Sequence, residues 1–397
     1  MKNFYLKTSL LLLCFCLFSC QNKVKNHEEQ KDTIIVGAEL TDEYYPLIKN
    51  KRVAILSNHT GMVGDVHLLD KLISDSINVV AIFSPEHGFR GDADAGEVVN
   101  NSADTKTGVP IHSLYGERDK PSKESMDSFD ILLFDIQDVG LRFYTYYVTM
   151  ARLMDACAEF NKKMIVLDRP NPNGHYVDGP ILDMKYKSDV GWLPIPVVHG
   201  MTLAELAIMI NGEKWLPDGR KCDLTVVKCK NYTHQTLYEL PLDPSPNLKS
   251  MQSIYLYPST CLFEATVMSL GRGTNFPFEV YGHPDMKNCE FSFTPQSMPG
   301  AKEPPLWGKK CFGVDLRSIS HEEIFAKGFD LSYIIDAYNN LAIGKEFFGW
   351  GLERLVGVSY IREMINEGKP ADEIKLMWKD DVENFKKQRK PYLLYEE

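Results

Sequence analysis

Short apolar runs recur along the chain, with stretches of helical spacing between them. Arg52–Leu56 (RVAIL), Val79–Phe83 (VVAIF), Ile131–Phe134 (ILLF) and Met164–Leu167 (MIVL) are continuous rather than alternating. Such runs predict strands covered on both faces, as in a parallel sheet. Thr33–Val36 adds a short edge strand. Helices are predicted near Asp42–Ile48, Val66–Ser74 and Tyr144–Phe160, the last with Met150, Leu153, Met154 and Cys157 at helical spacing. Alternating strands and helices predict an α/β fold with a Rossmann-like parallel sheet. Thr202 and Glu205 have capping-box spacing and open a helix near Thr202–Ile210, and a strand follows at Leu224–Cys229.

The proline-rich segment Leu240–Asn247 (LPLDPSPN) cannot continue regular structure, so a domain boundary is placed there. It divides a Rossmann-like domain, 33–239, from a smaller α+β C-terminal domain, 240–397. The second part is expected to hold strands near Ile254–Tyr257 and Cys311–Leu316. Its helices are expected near Tyr333–Tyr338, Leu352–Glu367 and Ala371–Gln388.

The N-terminus has a different character. Lys2 and Lys7 precede an apolar stretch over residues 8–19 that is short for a membrane span. It ends Leu17-Phe18-Ser19-Cys20, which resembles a bacterial lipobox. The expectation is a signal peptide over 1–19, lipidation at Cys20 and a polar tether over 20–32. The alternatives are a plain signal peptide or an anchor helix. Gln21 is not the Asp of an inner-membrane retention signal. The expected location is therefore the cell envelope, as an outer-membrane lipoprotein on its periplasmic face or at the cell surface.

Composition narrows the function classes. The 397 residues are 44% hydrophobic and 25% charged, which excludes a disordered or collagen-like chain. A net charge of −10 without a basic stripe argues against nucleic acid as a partner. Six of the nine cysteines lie beyond the signal; most read as buried thiols, and Cys222 with Cys229 is the one close pair worth testing for a disulfide. No G-x-G-x-x-G follows the first strand and no G-x-x-x-x-G-K-[ST] occurs, so no nucleotide cofactor is called for.

Polar residues instead gather where the strands end. The runs finish in Ser57-Asn58-His59-Thr60-Gly61, in Ser84-Pro85-Glu86-His87-Gly88-Phe89-Arg90-Gly91, in Asp135-Ile136-Gln137-Asp138 and in Asp168-Arg169-Pro170-Asn171. Ligands of open α/β sheets bind beyond the carboxyl ends of the strands, so this edge is the candidate site. A metal held by Asp135, Asp138 and His59 is a weaker alternative, since no H-E-x-x-H is present. No serine sits in G-x-S-x-G. Carboxylate acid/base chemistry remains, as in glycoside hydrolysis.

Glu86 is the candidate acid, because partial burial behind an apolar strand would keep it protonated. Asp135, Asp168 or Glu97 could supply the second carboxylate. His59 and His87 are expected to hydrogen-bond, together with Asn58 and Asn171. Downstream, Glu264, Gly271-Arg272-Gly273-Thr274-Asn275 and Pro277-Phe278-Glu279 form a second polar constellation. Glycines on both sides let the Arg272 guanidinium project toward a carboxylate. Tyr144, with Phe143, Tyr146 and Tyr147, could supply a sugar-stacking face.

At this point the motifs resemble a family. SNHTG (57–61), SPEHGFRG (84–91), AGE (95–97), FDIQDVGLRFYTY (134–146), LDRPNPNG (167–174), HGMTLAEL (199–206) and GRGT (271–274) are similar to those of the NamZ-type exo-β-N-acetylmuramidases. The resemblance runs from about residue 33 to the C-terminus. It implies a Rossmann-like domain, a smaller C-terminal domain and a cleft between them. It also implies release of terminal N-acetylmuramic acid from the non-reducing ends of peptidoglycan glycans or muropeptides, with Glu86 as the catalytic carboxylate. The lactyl carboxylate of muramic acid gives Arg272 or Arg90 a task. The rivals are a non-catalytic muropeptide-binding lipoprotein and a metal-dependent amidase or esterase.

Overall fold

The computed structural model describes residues 33–85, 89, 102–114 and 120–397. Glu86, His87, Arg90, Glu97 and Cys20 lie outside them. Ile34–Glu397 forms one compact unit.

Six parallel strands make the main sheet: β1 Val53–Ser57, β4 Val79–Ser84, β6 Pro110–Ser113, β7 Ile131–Asp135, β8 Lys163–Leu167 and β9 Asp223–Val227. The short strand β5, Ser102–Ala103, pairs antiparallel with β6 at one edge. The remaining pair, β2 Met62–Val63 and β3 Val66–His67, is a small hairpin behind β1. Across the sheet the order is β5-β6-β4-β1-β7-β8-β9. Its parallel strands thus run 3-2-1-4-5-6, the doubly wound order, with the topological switch between β1 and β7.

Alternate residues along each strand enter different cores. Val53, Ile55, Leu133 and Ile165 pack with Tyr44 and Ile48 of helix α1 (Thr41–Ile48) and with Leu68, Leu69 and Leu72 of α2 (Leu68–Ser74). Ala54, Leu56, Leu132, Phe134 and Val166 pack on the other face. There they meet Met150, Leu153, Met154 and Cys157 of the helix Tyr146–Glu159 and the helix Leu203–Gly212. Both faces are covered, which is why the strands read as unbroken apolar runs.

Several elements differ from the sequence expectation. Thr33–Val36 is not a strand; Ile35 makes a single antiparallel bridge to Lys230, past the end of β9. The strand β6 carries Pro110 and His112 and so shows no apolar run. Ile254–Tyr257 is helical, within Met251–Thr260, because Ser250 caps it by accepting the Ser253 amide at 2.9 Å. Ser253 to Thr260 are all buried, and an all-round apolar helix cannot be told from a strand by periodicity. The predicted helix Leu352–Glu367 breaks into Leu352–Val356 and Tyr360–Asn366 at Gly357, where φ is +81°. A Cβ at Gly357 would lie 2.7 Å from Nη2 of Arg142. The predicted helix Ala371–Gln388 is likewise two helices, Ala371–Lys375 and Lys379–Arg389, joined by a 3₁₀ turn.

The C-terminal region adds a three-stranded antiparallel sheet, Val280–His283, Cys311–Asp315 and Phe291–Phe293, with helices around it. Arg142 ties it to the main sheet. Its buried guanidinium donates to the carbonyls of Pro180, Ile195 and Leu355 at 2.7–2.8 Å. Cys222 and Cys229 flank opposite ends of β9 and both are free thiols. Among the described residues no helix is long and apolar enough to cross a membrane.

Candidate functional site

Because β1, β4, β7 and β8 are parallel, their polar ends do converge on one edge. Most of those side chains are committed to one another. Asn58 accepts from the amide and hydroxyl of Thr60 at 2.9 and 2.6 Å and donates to Tyr146 Oη at 3.1 Å. Thr60 accepts the Gln137 amide at 3.0 Å, and the Gln137 side chain donates to the Pro170 carbonyl at 2.7 Å. Asn171 accepts the Asn173 amide at 2.8 Å and donates to the Met201 carbonyl at 2.9 Å.

The candidate second carboxylates are engaged in the same way. Asp135, at the switch point opposite Ser57, is fully buried and forked by Arg169 at 2.6 and 3.0 Å. Arg169 also donates to the Met62 carbonyl at 2.8 Å, so beside the switch point, where doubly wound folds hold nucleotides, its guanidinium is committed to Asp135 and to the chain after β1. Asp168 accepts the Tyr395 hydroxyl at 2.6 Å and the Ala204 amide at 3.1 Å. Burial pushes its carboxyl up to about 7.

Asp138 stands apart. Its Oδ1 accepts the Gly140 amide at 2.7 Å, while its buried Oδ2 has no hydrogen-bond partner among the described residues. Burial pushes this carboxyl to about 7 against the Gly140 and Val139 amides. Among the described residues no three His, Cys, Asp or Glu side chains are grouped to hold a metal ion. Asp135 is taken by Arg169, and His59 Nε2 lies 2.7 Å from the Asp243 carbonyl.

The open space lies one layer further out. The proline-rich segment crosses above the strand ends, held by His59 and by the Tyr144 hydroxyl, which donates to the Pro244 carbonyl at 2.7 Å. On one side of it is a shallow groove of about 430 Å³ beside His59. On the other is a cavity of about 150 Å³ lined by Tyr144, Tyr146, Tyr257, Phe278, Glu264 and Arg272, among others. The tyrosine and phenylalanine rings meet edge to face, with Tyr257 and Phe278 4.7 Å apart. Arg272 lies over Phe278 at 5.1 Å. Its Nε and Nη2 both donate to one Glu264 oxygen, at 3.1 and 2.6 Å.

Arg272 projects because Gly271 and Gly273 both have positive φ, +88° and +80°, and a Cβ at either would press on backbone oxygens of Phe276 or Gln296. Asn275 is exposed and lines none of this cavity. The structure therefore brings Tyr144 and Arg272 together, puts His59 across the crossing segment and keeps Asn58, Asn171, Asp135 and Asp168 beneath the site. Tyr257 is not among the site residues read from the sequence, and Asp138 enters there only as a ligand of the alternative metal site. Tyr257 was hidden by being assigned to a strand. Asp138 was visible in the FDIQDVG motif.

Comparison with known proteins agrees with this architecture. Residues 53–252 match the family "Exo-beta-N-acetylmuramidase NamZ, N-terminal", and residues 255–395 match "Exo-beta-N-acetylmuramidase NamZ, C-terminal". The chain is 39% identical over 393 residues to the peptidoglycan beta-N-acetylmuramidase NamZ of Bacillus subtilis, covering 94% of each protein. A DUF1343 family protein from Bacteroides fragilis has a similar crystal structure, with a TM-score of 0.87 and 64% identity over 92% of this chain and 99% of its own. A second from the same organism gives 0.78 and 29%, over 91% of this chain and 99% of its own. The chain belongs to the NamZ exo-β-N-acetylmuramidase family.

Proposed function

We propose that the protein is an exo-acting glycoside hydrolase that releases terminal N-acetylmuramic acid from the non-reducing ends of peptidoglycan fragments during cell-wall turnover. The observation that carries this reading is the cavity at the carboxyl edge of the sheet. It joins an aromatic wall to a guanidinium around a space of about 150 Å³. Aromatic rings stack on the apolar faces of pyranoses, and an Arg fork matches the lactyl carboxylate that distinguishes muramic acid from glucosamine. Glu264 holds that fork in place beforehand, so substrate binding exchanges one carboxylate partner for another.

On this reading Glu86, two residues after β4 in the sequence, protonates the leaving oxygen. Three residues further along the chain, Phe89 packs 5.0 Å from the His67 ring. The enzyme is carried to the envelope by the N-terminal signal and held at the outer membrane through lipid on Cys20. Attachment at an envelope membrane puts it where wall fragments are released.

The test of the activity is release of N-acetylmuramic acid from muropeptides and from a chromogenic muramic acid glycoside. Binding without release would favour the carbohydrate-binding alternative, and loss of release on adding a chelator would favour a metal hydrolase. The test of the anchor is Cys20→Ala, which should move the protein from the membrane to the soluble fraction. An unchanged distribution would rule the lipid anchor out.

A further inference from the structure

The cavity is small. At about 150 Å³ it falls below the roughly 300–1,000 Å³ of pockets that enclose a drug-sized ligand. On the glycosidase reading one sugar unit enters it, and the rest of the glycan leaves across its rim. Two rim residues lead to the same loop. Ala265, next to Glu264, accepts the Gly349 amide at 2.8 Å, and a Cβ on Gly351 would lie 3.8 Å from the Ala265 side chain. Gly191 follows the rim residue Val190, and a Cβ on it would lie 3.5 Å from the carbonyl of Arg354. The segment 349–354, a short loop and the first turn of the helix Leu352–Val356, therefore runs from beside Glu264 to beside Val190 on the cavity rim.

Trp350 sits in the middle of this loop, 78% exposed. A tryptophan serving only to fill space would be buried. Here the Arg354 guanidinium backs one face of the indole at 4.4 Å, and the exposure leaves the other face open to solvent. Glycines 349 and 351 remove side chains on either side of it. The loop is braced from below. Arg362 donates to the Gly349 carbonyl at 2.7 Å and forks Glu353 at 2.5 and 2.8 Å, and Thr266 bridges Phe348.

We propose that Trp350 is a platform for the aglycone: the pyranose ring joined to the departing N-acetylmuramic acid stacks on its open face. The proposal rests on the glycosidase reading above. A polymer substrate supplies a ring just outside a one-sugar cavity, and a backed, solvent-open indole is the surface such a ring packs against.

The test compares two substrates. A disaccharide with N-acetylmuramic acid at its non-reducing end has a sugar aglycone, whereas a β-glycosyl fluoride of N-acetylmuramic acid has no ring there. Trp350→Ala should raise KM for the disaccharide roughly three- to ten-fold, the range of one aromatic contact, with kcat little changed. It should leave the fluoride kinetics within two-fold, and Trp350→Phe should restore most of the loss. An unchanged KM for the disaccharide overturns the platform, as does an equal loss on both substrates. If the unaltered protein cleaves neither substrate, the glycosidase reading fails and the platform falls with it.

Discussion

Two stretches of one sheet edge are equally rich in polar side chains and are used in opposite ways. At the end of β8 the chain closes over them. Tyr395 donates to Asp168, the Leu394 amide donates to Glu205 at 2.8 Å, and Glu205 faces His234 at 3.0 Å. The C-terminal tail thereby satisfies a buried polar cluster, which would cost several kcal/mol if left unpaired. Beyond β7 the next layer is aromatic, and the space between Tyr144, Tyr257 and Phe278 is not closed. There Arg272 and Glu264 are only partly covered, with side-chain exposures of 21% and 35%. Polarity at a strand end therefore does not by itself mark a site. What separates the clamped end from the open one is whether a later segment of the chain supplies the missing partners.

The largest effect that would sharpen this contrast is on activity without stability. Glu86→Gln keeps shape and a hydrogen-bond donor but removes the titrating proton. The rate constant kcat should fall by roughly 10²–10⁴, with the denaturation midpoint unchanged. The loss should shrink on dinitrophenyl glycosides, whose leaving group needs no protonation. A kcat within a few-fold of the unaltered protein on muropeptides would remove Glu86 from the reaction. The opposite pattern is expected on the clamped side. Asp168→Ala leaves the Tyr395 hydroxyl and the Ala204 amide without their acceptor and should cost about 2–4 kcal/mol of stability. Activity per folded molecule should stay within two-fold. A large loss of kcat with normal stability would move Asp168 from scaffold to site.

A smaller effect tests the open side at its charged end. Arg272→Ala should raise KM for muramic acid glycosides by about 1.5–3 kcal/mol of lost charge-assisted hydrogen bonding. Glycosides of N-acetylglucosamine, which lack the lactyl carboxylate, should be affected far less. Equal effects on both sugars would leave Arg90 or Arg169 as the carboxylate reader, and Arg169 is already spent on Asp135.

The sheet was legible because strands buried on both faces need continuous apolar residues, and β1, β4, β7 and β8 carry them. The capping box of Thr202 and Glu205 was legible for the same local reason and is present. The helix Met251–Thr260 was not, because a helix buried all round has no polar face to mark its period. For the candidate site, the sequence pointed to the edge where the structure leaves open space, and Tyr144 and Arg272 line that space. It could not separate Asp135 and Asp168 from the open cavity, since their partners Arg169 and Tyr395 lie at other positions along the chain. Arg169 was next to Asp168 in sequence but pairs with Asp135, and Tyr395 comes 227 residues after the carboxylate it holds. Arg142 was inside a quoted motif, yet nothing local indicates that its three acceptors lie on Pro180, Ile195 and Leu355.

The smallest expected effect concerns Asp138, which belongs to neither class. It is buried like the scaffold carboxylates, but one oxygen has no partner among the described residues. Its carboxyl is pushed up to about 7 in the fold, above the value near 3.9 of an unfolded aspartate. Between those values the folded state binds the extra proton, so this group's contribution to stability falls as pH rises from about 4 to 7 and is flat above. The slope it adds is at most about 1.4 kcal/mol per pH unit. Asp138→Asn keeps an acceptor for the Gly140 amide and removes the titration. Denaturant midpoints taken at half-unit steps from pH 5 to 7.5 should then fall less steeply in the variant than in the unaltered protein. If the two slopes coincide, Asp138 is ionised in the fold. The cost of burying that charge is then met by a partner that its second oxygen does not have among the described residues. That outcome would draw Asp138 to the open side of the comparison, as a charged carboxylate rather than a neutral scaffold group.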